Sequence, residues 1–190
     1  MKYDVVIDTL MGFEGGVEDV GDGAGLTRWG QTEAWLAEWR LPIPESADEA
    51  RQNYQEWLEL SHLGALATPP NGWAFDALSD NLIDYAINAG EARAVRAVQA
   101  ASNTPAMQAE VARQGGYVWA ALKVDGVIGP KTLAAVLERS ARGRDLLAAY
   151  VFADRLRHYG RITRDHPEKN LKFIAGWLNR MATLAEKWAA

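Results

Sequence analysis

Two carboxylates in a glycine-rich stretch are the residues best suited to chemistry, Glu14 and Asp22. Glu14 stands directly before Gly15 and Gly16, and glycine ends helices at little steric cost because it adopts positive φ readily. We therefore expect Glu14 in the last turn of a helix, beside a loop that carries Asp22. Cleavage of a glycosidic bond needs two such carboxyl groups in unlike surroundings, one protonated and the other ionised.

The neighbouring residues support that chemistry and leave alternatives open. Thr27 follows in the same stretch, and its hydroxyl could hold a water molecule. Asp19 is the rival of Asp22 for the second carboxylate, although Asp22 stands in the Asp-x-x-Gly-x-Thr context. Glu14 could also be an ordinary solvated residue at a helix C-terminus, since an isolated Glu-Gly-Gly is a weak signal.

The composition predicts a globular protein and excludes several classes of function. Of the 190 residues, 48% are hydrophobic and 24% are charged, which is enough apolar material for one core or two small ones. The net charge of −5 argues against a nucleic-acid binder, which normally presents a basic face. The absence of cysteine excludes disulfides and thiolate chemistry.

Metal binding is not expected, and neither is any other cofactor. Glu18, Asp19 and Asp22 miss the spacing of an EF-hand loop. The three histidines are scattered along the chain and form no metal-ligand or triad pattern; we expect them at the surface or as helix caps. They are His62, His158 and His166.

No part of the sequence reads as a targeting or membrane segment. The apolar run 5–13 is too short for a signal peptide and is interrupted by Asp8. No stretch approaches the roughly 20 apolar residues of a membrane helix. We expect a protein made in a bacterial cytoplasm, so that work outside it would need another protein's help.

Helical periodicity dominates the chain and predicts an all-α fold, or a mainly α fold with one small ribbon near the carboxylates. The first helix should end near Glu14, and Ser46 with Glu49 has the form of a capping box that opens another. Pro130 is well placed as the first residue of a helix. Further helices are predicted around Trp35 to Trp39 and over 75–89, 92–101, 106–122, 130–137, 146–159 and from 167 onward.

The clearest break in the chain is the Pro-Pro-Asn-Gly segment over 68–72. It predicts two parts, 1–70 and 71–190. The break is too short for a flexible tether, and the first part is too small to bury four tryptophans unaided. We therefore expect both parts to pack as one globule.

Several motifs of the first part resemble glycoside hydrolase family 108, the N-acetylmuramidases of phage lysis proteins and secretion-associated muramidases. The residues that match the family pattern are Glu14, Gly15, Gly16, Asp22, Gly25, Thr27, Gly30 and Thr32. The sequence departs from that pattern at Gly23, Ala24 and Gln31, which stand where the family has proline, glycine and isoleucine.

The second part resembles the helical "predicted peptidoglycan-binding" region that follows in this family. Matching motifs occur in the family's order over 87–90, 98–100, 125–136 and 176–180. Together the two sets of motifs reach from about Ile7 to about Arg180. The segment 103–123 is longer than is usual in the family.

The resemblance implies a lysozyme-like helical fold that cleaves the β-1,4 bond between N-acetylmuramic acid and N-acetylglucosamine. Carried over by position, Glu14 is the general acid and Asp22 its ionised partner, with Thr27 helping to orient a water. Trp29 and Asn88 are the predicted substrate contacts. The acid needs an apolar site that raises its pKa, and Phe13 and Trp29 are candidates to supply one.

The implied setting is a phage or prophage endolysin released by a holin, or a muramidase handed over by a secretion machinery, acting on peptidoglycan in the periplasm. Two other functions stay open: a lytic transglycosylase, and a cell-wall-binding module with a degenerate site. Asp22 and Thr27 favour hydrolysis over the transglycosylase, and retention of Glu14, Asp22 and Thr27 counts against the degenerate module.

Two polar features of the second part have a structural and a functional interpretation. The turn over 125–130 could touch peptidoglycan, but a helix-initiating turn is the favoured interpretation. The arginines 155, 157, 161 and 164 could pair with muropeptide carboxylates, but we expect them on a solvated helix face.

Overall fold

The computed structural model describes residues 3–13, 17–19, 26–66, 77–118 and 120–189. Within these ranges the chain is mainly α-helical and carries one small antiparallel sheet, which confirms the predicted fold class. The chain divides into two compact units, Met1–Gly64 (unit 1) and Ala65–Ala190 (unit 2). No helix of the described ranges is long and apolar enough to cross a membrane.

The described residues of unit 1 form three helices and the sheet. The helices are α1 (Asp4–Phe13), α2 (Glu33–Trp39) and α3 (Ala47–Leu60). The strands are β1 (Val17–Asp19), β2 (Leu26–Arg28) and β3 (Gln31–Thr32), and they pair in that order. A short helix, α4 (Leu63–Leu66), spans the boundary between the units.

The first helix forms as its periodicity predicts. Tyr3, Val6, Ile7 and Leu10 recur at helical spacing, and all four are buried. The helix is described as far as Phe13, and where it ends relative to Glu14 stays a prediction. Glu14 itself lies outside the described residues.

Side-chain caps start the next two helices. Thr32 accepts the Trp35 amide at 3.2 Å at the start of α2. At the start of α3, Ser46 accepts the Glu49 amide at 3.3 Å, as predicted. In a standard capping box the Glu49 carboxylate would accept the amide of the N-cap residue, Ser46. Here it accepts the amide of the preceding residue, Glu45, at 2.7 Å.

Unit 2 is built around α5 (Ala77–Ala89), which has nine buried residues and packs against α6 (Glu91–Ser102). It also packs against α8 (Pro130–Asp165) and α9 (Pro167–Ala189). The remaining helix of the unit is α7 (Pro105–Arg113), which packs against α8. Pro130 is the first residue of α8, as predicted.

The helix predicted over 106–122 is wrong beyond Arg113. Gln114 caps α7, and Gly115 has φ +68°, which favours glycine and ends the helix. A Cβ at Gly116 would lie 2.4 Å from the Arg142 side chain, so a larger residue there would have to displace that side chain. The following residues are non-helical up to Gly129 in the part of the chain that the structure describes.

The two helices predicted over 130–137 and 146–159 form a single helix, α8, with a kink at Gly143. Gly143 has φ −155° and ψ 47°, outside the helical region. A Cβ there would lie 2.5 Å from the methyl carbon of Met107, so glycine permits α7 to pack closely at the kink.

Candidate active site

The structure describes three of the five predicted site residues. Thr27 and Trp29 lie in unit 1, on β2 and in the turn that follows it, whereas Asn88 lies in the last turn of α5 in unit 2. Glu14 and Asp22 lie outside the described residues. The rival carboxylate, Asp19, belongs to β1 and pairs with Leu26.

Thr27 occupies the centre of the small sheet. It pairs with Glu18 on one side and with Thr32 on the other. Its hydroxyl oxygen is buried, and among the described residues it has no hydrogen-bond partner. A buried hydroxyl without a partner destabilises a fold by about 1–3 kcal/mol, so such a group is rarely left unpaired without a reason. It is free to bind a water molecule or a substrate group.

Trp29 and Gly30 form the two-residue turn that joins β2 to β3. Both have positive φ, 48° and 78°, as in a type I′ turn, whose twist matches that of the flanking strands. A bulky residue in this conformation is strained, and the tertiary structure must hold it there. Tyr54 contributes by donating its hydroxyl hydrogen to the Trp29 carbonyl at 2.8 Å. The backbone of Trp29 is therefore held in a defined place, and its side chain is half-buried.

Gln31 positions the hairpin against α3. In the sequence it stood out only as a departure from the family pattern. It is buried, and its amide nitrogen donates to the Ala50 carbonyl at 2.7 Å. Its oxygen accepts from Asn53 at 2.9 Å, and the same Asn53 nitrogen donates to the Pro42 carbonyl at 2.9 Å. These bonds tie the hairpin to α3. In the sequence Gln31 stands between Gly30 and Thr32, and no local pattern signalled its burial.

A cluster of aromatic rings supports the hairpin from α2 and α3. Trp35 packs against Tyr54 and Trp57 with ring centroids 5.7 and 5.6 Å apart, and Trp39 packs edge-on against Trp57 at 6.4 Å. Tyr54 and Trp57 are buried, and Trp35 and Trp39 are half-buried against them, so the rings form part of the core of unit 1.

In unit 2, Asn88 uses its amide nitrogen within its own helix, donating to the Asp84 carbonyl at 2.7 Å. One turn away, Tyr85 donates to Asp154 at 3.2 Å and accepts from the Nε of Arg93 at 2.9 Å. Burial raises the pKa of the Tyr85 hydroxyl well above its usual range, so it remains a protonated donor.

His158 is half-buried beside this cluster, with its ring 6.0 Å from that of Tyr85. Burial lowers its pKa, and the positive charges of Arg93 and Arg161 lower it further. Of the other two histidines, His62 is exposed and His166 caps the end of α8, as expected.

Arg155 does not lie on a solvated helix face, as had been expected, and it is not available to a muropeptide. It is completely buried and forms an ion pair with the buried Asp84, which also accepts from Arg180 at 3.0 Å. The Nε of Arg155 donates to Tyr159 at 2.9 Å. The prediction failed because the sequence alone does not show that Asp84 on α5 lies opposite Arg155 on α8. The arginines 157, 161 and 164 are exposed.

The turn over 125–130 is built by a buried glutamine. Gln99 donates to the Asp125 carboxylate at 3.0 Å and to the Val127 carbonyl at 3.1 Å, and it accepts the Gly126 amide at 2.9 Å. The hydrogen bond from Gln99, together with the Val127 amide, lowers the pKa of Asp125. Among the described residues there is no group of three or more acidic or histidine side chains suited to a metal ion.

Comparison with known proteins associates the chain with peptidoglycan. Residues 93–182, less than half of the chain, match the family described as the predicted peptidoglycan domain. The structure of Brucella abortus SagA is similar, with a TM-score of 0.67 and 22% identity, covering 98% of this chain and 93% of that one. At that identity the likeness shows the fold alone. No curated protein matches the chain. The family match supports a cell-wall-related protein.

Proposed function

We propose that this protein is a peptidoglycan hydrolase, a lysozyme-type N-acetylmuramidase of the kind found in glycoside hydrolase family 108. The bond cleaved is the β-1,4 linkage between N-acetylmuramic acid and N-acetylglucosamine. The match of residues 93–182 to the predicted peptidoglycan domain supports the substrate class. The motif around Glu14, Asp22 and Thr27 supports the reaction.

In this proposal the protonated Glu14 gives its proton to the glycosidic oxygen as the bond breaks. Asp22 remains ionised and stabilises the positive charge that develops on the sugar, or orients the attacking water. Trp29 and Asn88 contact the glycan. No metal or other cofactor takes part.

The observation that carries the proposal is the buried Thr27 hydroxyl without a partner among the described residues. A hydrolase must hold a water molecule beside its carboxylates, and this hydroxyl has the hydrogen-bonding capacity to do so. The strained turn at Trp29, two residues further on, is a second sign of a site held in place against its local preference.

We propose that the protein works on the periplasmic face of the wall, reached through a holin or a secretion machinery. A phage or prophage endolysin and a secretion-associated muramidase are both compatible with this chemistry.

The proposal is tested by replacing Glu14 with glutamine. Glu14→Gln should lower lysis of permeabilised Gram-negative cells by about 10²–10⁴-fold, the usual effect of removing a general acid. Glu56→Gln, the same change at an exposed position of α3, is the matched control and should leave lysis unchanged. Near wild-type lysis by Glu14→Gln would show that Glu14 is not the general acid.

Mass spectrometry of the digested peptidoglycan identifies the reaction. Hydrolysis leaves a reducing muramic acid end, and activity should survive EDTA. Mainly 1,6-anhydro products would instead make the protein a lytic transglycosylase.

A second candidate is a wall-binding module with a degenerate site. It is favoured by the position of the family match, which begins at residue 93 and so does not include the predicted catalytic residues. Sedimentation with peptidoglycan without any release of muropeptides would decide for this function.

A further inference from the structure

The segment that replaces the expected end of α7 carries an unusual set of exposed apolar residues. We call residues 114–118 and 120–128 the strap. Tyr117 is 68% exposed and Val127 is 64% exposed, and Val118 and Val124 are also exposed. Apolar side chains grouped on one surface segment are characteristic of an interaction site.

The strap is held by side chains from α8 and from α6 with its C-cap residue, Asn103. Asn103 accepts the Leu122 amide at 2.7 Å and donates to the Leu122 carbonyl at 2.8 Å, as a neighbouring strand would. Gln99 makes the three bonds to residues 125–127 already described, and Glu138 accepts the Tyr117 amide at 3.2 Å. The exposed residues are thus presented on an ordered backbone, which lowers the entropy lost on binding.

Glycine at position 126 is required for this arrangement. Gly126 has φ +84°, and a Cβ there would lie 2.7 Å from the Ala92 carbonyl oxygen. At Gly126 the strap therefore lies directly against the start of α6, and its last residue, Ile128, is buried.

The backbone of the strap also has free hydrogen-bonding groups. Among the described residues, no partner is found for the main-chain N–H and C=O groups of Val118, Ala120, Ala121, Lys123 and Val124. An extended peptide can add to such a backbone edge, where main-chain bonds supply affinity and side chains supply selectivity. Aliphatic side chains and free amides suit a peptide better than a sugar ring.

We propose that the strap binds the stem peptide of peptidoglycan, through its backbone and through Tyr117, Val124 and Lys123. The alanine methyl groups of the stem peptide match the apolar side chains. Its carboxylates match the ammonium group of Lys123, which is 86% exposed and lies 3.6 Å from the Asp125 carboxylate, a pairing that a bound peptide would compete with. The strap lies inside the region that matches the predicted peptidoglycan domain. The inference rests on the proposed function only in taking peptidoglycan as the ligand.

Two soluble probes test this inference by NMR on the full-length isotope-labelled protein. Titration with the synthetic tetrapeptide L-Ala–γ-D-Glu–meso-diaminopimelate–D-Ala should shift the amides of Val118, Ala120, Ala121, Lys123 and Val124. A tetramer of N-acetylglucosamine should leave these amides in place. Shifts of the strap with the sugar instead, shifts by the peptide elsewhere only, or no binding of the peptide would each overturn the inference.

A paired substitution supplies the control. Tyr117→Ser with Lys123→Gln should weaken binding of the tetrapeptide by about 10-fold, the effect of losing roughly 1.4 kcal/mol of contacts. Leu171→Ser with Lys169→Gln likewise replaces one exposed apolar residue and one lysine, on α9, and should leave the dissociation constant unchanged. Equal binding by the strap variant and the wild type would contradict the inference.

The outcomes separate this inference from the proposed function. A protein that binds the tetrapeptide and releases no muropeptides retains the strap site and loses the muramidase assignment. A protein that cleaves glycan strands and does not bind the tetrapeptide keeps the muramidase assignment and loses the strap site.

Discussion

The Thr27 hydroxyl and the Trp29 backbone are both in states that lower the stability of the fold. The hydroxyl is buried without a partner among the described residues, and the bulky Trp29 adopts a left-handed conformation that glycine or asparagine would adopt more easily. Both lie within three residues on one hairpin. Features that destabilise a fold cluster at functional sites, which is why we place substrate contacts here.

Replacement of Thr27 tests this interpretation at the scale of one residue. Thr27→Val exchanges the unpartnered hydroxyl for a methyl group of similar size, so the free energy of unfolding should stay the same or rise by about 1 kcal/mol. Lysis should fall, because the water or substrate bond is lost. Urea denaturation and the lysis assay measure the two effects.

Thr27→Ser is the matched control, because it keeps the hydroxyl and should keep most of the activity. A Thr27→Val protein that is clearly less stable and fully active would show that the hydroxyl serves the fold and not the reaction.

At the scale of the elements, buried charge holds the helices of unit 2 together. Asp84 on α5 accepts from Arg155 on α8 and from Arg180 on α9, and Asp80 on α5 accepts from Lys187 on α9 at 3.4 Å. A buried ion network adds little net stability compared with apolar packing, but removal of one partner leaves a buried charge without compensation. The network therefore enforces the register of these three helices.

Asp84→Asn should lower the free energy of unfolding by about 3–5 kcal/mol, because two arginines would then share a neutral partner in a buried place. Asp154→Asn makes the same change in a half-exposed ion pair with Arg93 and should lower it by less than about 1 kcal/mol. Urea denaturation of both variants measures the difference. Equal effects would show that burial does not set the importance of these pairs.

At the scale of the whole molecule, the boundary between the two units falls inside α4. The helix Leu63–Leu66 contributes residues to both units, and the Leu66 carbonyl accepts from Arg144 at 3.1 Å within unit 2. Unit 1 has 64 residues, a size at which a domain buries only about 60% of the surface of its unfolded chain and is marginally stable.

We therefore predict that a fragment of residues 1–69 is unfolded and inactive, and that the intact chain melts in one transition. Circular dichroism and the lysis assay test the fragment, and calorimetry tests the intact chain. A folded, lytically active fragment would establish a separable catalytic domain, and two calorimetric transitions would show independent units.

Local patterns in the sequence determined most of the helices of the described residues. The apolar spacing of α1 and α5, the cap at Ser46 and the proline that begins α8 each act within a few residues, so they could be predicted without the fold. The motif with Glu14 and Asp22 likewise indicated a reaction. Its arrangement stays a prediction, since both residues lie outside the described ranges.

Only the tertiary structure decided which polar residues are buried and which apolar residues are exposed. Gln31 contacts residues about 20 positions away, and Arg155 meets Asp84 across 71 positions, so neither burial is visible in a local pattern. The described residues of the strap are not helical, and Asn103 and Gln99 hold the backbone of Leu122 and Gly126 from the end of α6. Side-chain hydrogen bonds between distant elements outweighed the helix propensity of the alanines in 106–122.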